Sequence, residues 1–199
     1  MYKGKRSFDF IVSFLGIIFL SPLLILIALL VLINSGYPII YRQKRVGKNW
    51  EIFYLYKFRT MRIGAEKQGY VCKKDDERVT TIGRMLREYK LDELPQLFNV
   101  LRGEMSFVGP RPEILEFSEH YKAKFEEILT VEPGITDLAS IRFRNESNLI
   151  GNVENTSDYY LKEILSQKTE INSNYIKKAN IFYDIHLIFK TLTSLFSKY

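Results

Sequence analysis

Positions 10–33, FIVSFLGIIFLSPLLILIALLVLI, contain no charged residue, a run that soluble domains rarely carry. It exceeds the apolar core of a removable signal peptide, usually about 7–15 residues. Its length suits a transmembrane helix. Ser21-Pro22 falls mid-run, however, where proline removes a backbone donor and can bend a helix sharply. Each half would then reach roughly 17 Å, about halfway through a hydrocarbon core of ~30 Å. Lys3, Lys5 and Arg6 precede the run, and Arg42, Lys44, Arg45 and Lys48 follow it, so the positive-inside tendency draws both ends to one side. A straight span and a re-entrant helix-break-helix both stay open. The charges favour the re-entrant form, with the Ser21 hydroxyl available to a backbone group freed by Pro22.

Beyond the run the period changes. PIIYRQKRVG and WEIFYLYKFRTM, residues 38–47 and 50–61, alternate as two short strands of a β-hairpin turning at Val46-Gly47-Lys48-Asn49. Lys57 and Arg59 would share one face, with Phe58 pointing away. That face either presents two cations to an anion or guards a strand edge. Residues 64–78 lack apolar periodicity and read as a mobile loop. Thr80 or Thr81 can cap a helix with Ile82, Met85, Leu86 and Tyr89 on its apolar side and Arg84, Arg87 and Lys90 on the other. Leu94, Leu97, Phe98 and Leu101 repeat at helical spacing, with Pro95 in the first turn and Gly103 placed to stop the helix.

MSFVGPRP then reads as strand into constrained turn, with Pro112 opening the helix EILEFSEHYKAKFEEIL. Residues 155–175 suit a further helix packed by one face. Near the C-terminus, Ile181, Phe182, Ile185, Ile188, Phe189, Leu192, Leu195 and Phe196 form one stripe flanked by lysines, either an interfacial helix or a core one. The expected architecture is α+β, mainly helical. It has a membrane hairpin over residues 1–36 and a cytoplasmic domain over residues 37–199, with a small β-hairpin and amphipathic interfacial helices.

A chain of 199 residues, 46% hydrophobic, can build one core. The net charge of +6 is concentrated: Arg42, Lys44, Arg45, Lys48, Lys57, Arg59 and Arg62 face only Glu51 in their stretch. Such an excess suits anionic lipid, nucleic acid or a phosphorylated small molecule, or is a solvated face. One cysteine, Cys72, excludes an internal disulfide, and two histidines leave little for a Cys/His metal site. No phosphate-binding P-loop, Rossmann glycine signature or internal repeat is present.

The chemistry concentrates in residues 84–112. Asp92 and Glu93 are adjacent carboxylates among Arg84, Arg87, Lys90, Arg102 and Arg111. About 100° apart if both are helical, they suit two roles rather than one symmetric clamp. That Asp92 is only a helix N-cap is an equal alternative on this pattern. Arg111, fixed between Pro110 and Pro112, carries a planar fork suited to phosphate oxygens.

These motifs together resemble a known family. Lys57-Phe58-Arg59-Thr60-Met61, Asp76-Glu77-Arg78-Val79-Thr80, Gly83-Arg84, Leu91-Asp92-Glu93-Leu94-Pro95-Gln96-Leu97, Asn99-Val100, Met105-Ser106-Phe107-Val108-Gly109-Pro110-Arg111-Pro112 and Pro133-Gly134-Ile135-Thr136 closely resemble those of bacterial monotopic phosphoglycosyl transferases, also called bacterial sugar transferases. The likeness covers nearly the whole chain, Ser21-Pro22 included.

The resemblance implies transfer of a sugar 1-phosphate from a nucleotide diphosphate sugar, a UDP-sugar, to polyprenyl (undecaprenyl) phosphate, with release of UMP. This would be the first membrane step of capsule, O-antigen, exopolysaccharide or glycoprotein glycan assembly. It makes Asp92 the nucleophile of a covalent phosphosugar intermediate, kept ionised by surrounding cations. It implies Mg2+ held by Asp92 or Glu93, with Glu93 in metal or proton handling. Lys57, Arg59, Arg87 and Arg111 are the phosphate-binding candidates. It also implies a bacterial inner-membrane enzyme, cytoplasmic in its catalytic part and in contact with phospholipid. A noncatalytic adaptor holding anionic lipid or nucleic acid through its basic stretch is the competing class, and the ordered motifs speak against it and against a nucleic-acid partner. Homo-oligomerisation is left open.

Many members follow Pro133-Gly134-Ile135-Thr136 with Gly-Trp-Ala-Gln, whereas this chain has Asp137-Leu138-Ala139-Ser140. The departure weakens inference about the sugar. Beyond it, Arg142 and Arg144 are expected on one strand face, and with Asn145 and Glu146 they are candidate nucleotide or sugar contacts.

Overall fold

A computed structural model of the chain describes residues 2–65, 69, 76–144, 146, 149 and 156–196. Its largest feature is helix α1, Lys5–Ser35, in which helical structure continues through Pro22. The expected break is therefore absent as a gap in the helix. The physical reason is local: an uninterrupted helix would bond the N–H of residue 22 to the Ile18 carbonyl, and the Ser21 hydroxyl reaches that carbonyl instead, at 2.8 Å. Gly36 closes the helix at φ 73°, its N–H on the Leu32 carbonyl at 2.8 Å.

One face of α1 lies on the rest of the protein along its length. Lys5 ion-pairs with Asp184, whose other oxygen accepts from the Tyr175 hydroxyl at 2.7 Å. Arg6 donates to the carbonyls of Val100 and Leu101, and Asp9 accepts from the Phe107 N–H at 3.1 Å. Farther along, Ile27 and Val31 join Phe58 and Leu86 in a buried cluster. At the far end Arg59 donates to the carbonyls of Ser35 and Gly36. The opposite face, including Phe14, Ile18, Phe19, Ile25 and Ile33, stays exposed.

Strands β1, Ile40–Val46, and β2, Ile52–Phe58, form the expected antiparallel hairpin, with Tyr41 opposite Lys57. A 3-10 turn at Lys48–Trp50 joins them. Helix α2, Thr81–Glu88, is capped by Thr80, whose hydroxyl accepts from the Gly83 N–H at 3.0 Å. Leu86 and Gly83 face inward, while Met85 and Tyr89 are exposed, so the buried side is turned from the one the pattern predicts.

Helix α3, Gln96–Arg102, ends at Gly103 in the left-handed region, as expected. Its buried face is Gln96, Leu97, Asn99 and Val100, with Phe98 exposed. Asn99 explains the shift: its amide donates to the Tyr54 carbonyl at 2.7 Å and accepts from the Tyr56 N–H at 3.1 Å, stitching α3 to β2.

Strands β3, Ser106–Val108, and β4, Gly134–Thr136, pair in parallel. Between them lie α4, Leu115–His120, and α5, Lys122–Ile128. Helix α6, Leu138–Arg142, follows, capped by Asp137. The strand expected at Arg142 and Arg144 is thus corrected to the last turn of a helix at Arg142 and a turn at Arg144, because an aspartate at the N-cap starts the helix. Helix α7, Thr156–Tyr159, continues as a π-helical turn over Tyr160–Leu165 into α8, Ser166–Lys178. Helix α9, Ile181–Phe196, buries Asp184 and Leu187, while Phe182, Ile185, Phe189 and Leu192 are exposed. Most of the described residues of its apolar stripe therefore point away from the core.

Candidate active site

A cavity of about 1150 Å³ runs between α1, the hairpin, α2, the Asp92 turn and α6. Asp92 and Glu93 lie in a 3-10 turn, Leu91–Glu93, entered through Lys90 in the left-handed region. Pro95 is the residue before α3, so Asp92 stands one turn ahead of that helix and is not its cap. Both carboxylates are buried, Asp92 at 5% exposure and Glu93 at 9%.

Their surroundings differ. Glu93 Oε1 accepts from Lys57 Nζ at 2.9 Å, Glu93 Oε2 from Arg111 Nη1 at 3.2 Å, and a second Arg111 nitrogen is also bonded to Oε1. Burial alone would raise the Glu93 pKa, but Arg111 and Lys57 outweigh it and hold the carboxyl well below its ordinary value. Asp92 Oδ1 is buried with no hydrogen-bond partner. Burial, then the neighbouring Glu93 charge, pushes the Asp92 pKa up despite Lys57, Lys90 and Arg87. The expected effect of the cations on Asp92 is thus outweighed by desolvation. The pair divides as its spacing predicts: Glu93 organises cations, and Asp92 offers a free oxygen.

Arg111 is held by more than its prolines. Its backbone N–H donates to Asp137 Oδ2 at 2.8 Å, the Gly134 N–H bonds the Pro110 carbonyl at 2.9 Å, and the Gly109 N–H bonds the Thr136 carbonyl at 3.1 Å. This crossing is tight enough that a Cβ on Gly134 would sit 2.1 Å from the Gly109 nitrogen. Arg87 Nε donates to the Thr60 hydroxyl at 2.9 Å. Gly83 permits that approach, since a Cβ there would meet the Thr60 carbonyl oxygen at 2.1 Å.

Lys57, Arg59, Arg87, Arg111, Asp92 and Glu93 all line the cavity. Lys57 and Arg59 do not act as one face, because Lys57 is spent on Glu93 and Arg59 lies past β2 against the end of α1. Arg144 and Glu146 also line the cavity, Arg142 is exposed in the last turn of α6, and Asn145 lies outside the described residues. The basic stretch is only partly a solvated face: Arg42, Lys44 and Arg62 are exposed, whereas Arg45 meets Glu113 at 3.5 Å, Lys48 meets Glu132 at 2.9 Å, and Arg59 is buried.

Sequence reading missed a second polar group on the wall. Tyr160 donates to Glu113 Oε1 at 2.7 Å, and Lys168, buried beside the Tyr160 and Phe143 rings, ion-pairs with Glu146. Glu113 adjoins the Gly-Pro-Arg-Pro motif, which was a usable signal. Lys168 sits in a polar helix and gave none.

This arrangement sets a buried carboxylate with an open oxygen beside a cation-clamped one, at a large cavity against an apolar helix. The bacterial sugar transferase family model matches residues 2–198, and the chain belongs to that family. It is 33% identical to the exopolysaccharide production protein ExoY of Sinorhizobium fredii, over 96% of this chain and 85% of the relative. It is 38% identical to a UDP-glucose:undecaprenyl-phosphate glucose-1-phosphate transferase of Klebsiella pneumoniae, over 94% of this chain and 39% of the relative. It is 33% identical to a UDP-N-acetylgalactosamine-undecaprenyl-phosphate N-acetylgalactosaminephosphotransferase of Aeromonas hydrophila, over 96% of this chain and 43% of the relative. The chain thus spans about two-fifths of the last two, and the sugars in their names differ.

Proposed function

We propose that this protein transfers a sugar 1-phosphate from a UDP-sugar to polyprenyl phosphate, undecaprenyl phosphate in the relatives' names, through a covalent intermediate on Asp92. The observation that carries the reading is the buried, unpartnered Asp92 Oδ1 at the cavity wall. An unpaired carboxylate oxygen in a dry site is costly unless a substrate engages it.

In the first step a carboxylate oxygen of Asp92 attacks the phosphorus bearing the sugar. The bond from that phosphorus to the bridging oxygen breaks, and UMP leaves with the electron pair. In the second, an oxygen of polyprenyl phosphate attacks the same phosphorus, and the bond to Asp92 breaks to restore the carboxylate. Arg111 and Lys57, held by Glu93, and Arg87 stabilise the phosphoryl oxygens as charge develops. Splitting one displacement into two lets a soluble donor and a lipid acceptor use one site in turn.

A Mg2+ ion at this site would need oxygen ligands that are not already paired. Asp92 Oδ1 fits, whereas both Glu93 oxygens are taken by cations, and among the described residues no group of three metal-binding side chains forms a complete cage. Asp92 with diphosphate oxygens and water is the coordination such an ion favours, and it would neutralise diphosphate charge.

The same reading places α1 as a re-entrant element of the bacterial inner membrane, with the catalytic part on the cytoplasmic face. Both ends of a helix about 46 Å long contact one body, through Lys5 with Asp184 and through Arg59 with Ser35 and Gly36. A straight span would leave one end across the bilayer. The exposed apolar residues of α9 then meet the interface.

The test is UMP release. Purified protein with Mg2+, polyprenyl phosphate and a panel of UDP-sugars should release UMP from at least one of them, and Asp92→Asn should abolish that release. Equal turnover by the variant would refute the role of Asp92.

A further inference from the structure

Arg59 differs from the other cations of the cavity. Lys57 and Arg111 are both ion-paired with Glu93. Arg59, 5% exposed, has no carboxylate within ion-pair distance among the described residues. One nitrogen, Nη2, bonds the last carbonyls of α1, while Nε and Nη1 are buried with no acceptor. A buried guanidinium left this way is costly until an anion supplies both charge and lone pairs.

Its position says which anion. Arg59 lies against the C-terminal end of α1, and its neighbour Phe58 packs on Ile27 and Val31 of that helix. An anion here would carry its apolar portion along the membrane helix. On the other side Thr60 bonds Arg87, one of the cations acting on Asp92. The pattern of apolar wall, unneutralised fork and catalytic carboxylate matches a phosphate monoester on a long hydrocarbon chain better than the diphosphate of a water-soluble nucleotide.

We propose that Arg59 is the acceptor-phosphate seat, binding the phosphate of the polyprenyl carrier through Nε and Nη1 while Nη2 remains on the end of α1. The assignment rests on the transferase reading above and separates Arg59 from the donor's cations Lys57, Arg87 and Arg111. It also links lipid binding to the α1 terminus, because one guanidinium serves both.

Steady-state kinetics with both substrates varied tests this. Arg59→Lys and Arg59→Met should raise KM for polyprenyl phosphate by roughly tenfold to a hundredfold, the lysine variant less, with KM for the UDP-sugar moving less than about twofold. Inorganic phosphate should compete with polyprenyl phosphate weakly in the wild type and more weakly still in Arg59→Lys. An equal rise in both KM values, or no rise in the acceptor's, overturns the assignment. Should the variants fail to fold, amide exchange on the wild type decides: polyprenyl phosphate should slow exchange around residues 35–37 and 59–60, and UDP-sugar should not. Slowing by UDP-sugar alone, or by neither, overturns it. A wild type that releases no UMP from any UDP-sugar would instead sink the transferase reading, which keeps the two failures apart.

Discussion

The Ser21 hydroxyl donates at 2.8 Å to the carbonyl of Ile18, the acceptor that Pro22 has no N–H to reach. A carbonyl left bare in an apolar surrounding costs on the order of 1–3 kcal/mol. In lipid nanodiscs Ser21→Ala should therefore lower Tm by roughly 2–10 °C, and Ser21→Thr, which keeps the hydroxyl, should recover most of it. Equal melting of the alanine variant and the wild type would show that the bond contributes nothing.

Asp92 opposes stability and activity against each other. Its pKa is raised by burial and by Glu93, so between the ordinary aspartate value and the raised one the folded protein keeps a proton that the unfolded chain has released. Stability falls as pH rises through that window and stays reduced above it. Asp92→Asn should melt higher than the wild type at pH 7 in metal-free buffer, with the difference shrinking toward acid, while releasing no UMP. For the wild type, the acid limb of UMP release should lie above the ordinary carboxylate range. A variant that melts lower at pH 7 would contradict the desolvation argument.

Glu93 behaves in the opposite sense. Its pKa is depressed by Arg111 and Lys57, so its contribution is present above the ordinary glutamate value and is lost as pH falls through the depressed one. Glu93→Gln leaves two largely buried cations facing a neutral amide, a loss of about 3 kcal/mol by analogy with other broken buried pairs. Chemical denaturation at pH 7 should show that loss. The same variant should raise KM for the UDP-sugar, since Arg111 and Lys57 lose the carboxylate that positions them. Full stability with weakened donor binding would assign Glu93 to substrate alone.

How far the sequence could be read depended on the range of the interactions. The hairpin, the Thr80 cap and the Gly103 stop are fixed by neighbours within a few positions, and all were legible. The buried faces of α2 and α3 were misjudged because Asn99 and Arg87 are drawn inward by partners on β2 and at Thr60, which no local period records. The strand face expected for Arg142 and Arg144 is absent because the cap at Asp137 starts a helix that runs to Arg142. At the site, motif residues showed which side chains converge. The split between a clamped Glu93 and an open Asp92 needed the distances, as did the pairing of Lys168 with Glu146 across the chain.

Gly83 tests whether α2 must lie directly against the strand end. A methyl group there would stand 2.1 Å from the Thr60 carbonyl oxygen and 2.8 Å from the Thr80 hydroxyl that caps the helix. The closer neighbour is backbone: the Thr60 carbonyl lies between Arg59 and Met61, and Arg59 holds the end of α1. Gly83→Ala must therefore push α2 outward, which lengthens the Arg87 contact to Thr60 as well as the cap. Overpacking of this kind costs roughly 1–3 kcal/mol or more. The expected result is a lower Tm together with slower UMP release, because Arg87 recedes from Asp92. A Gly83→Ala protein that melts and turns over like the wild type would mean that α2 has room the geometry denies.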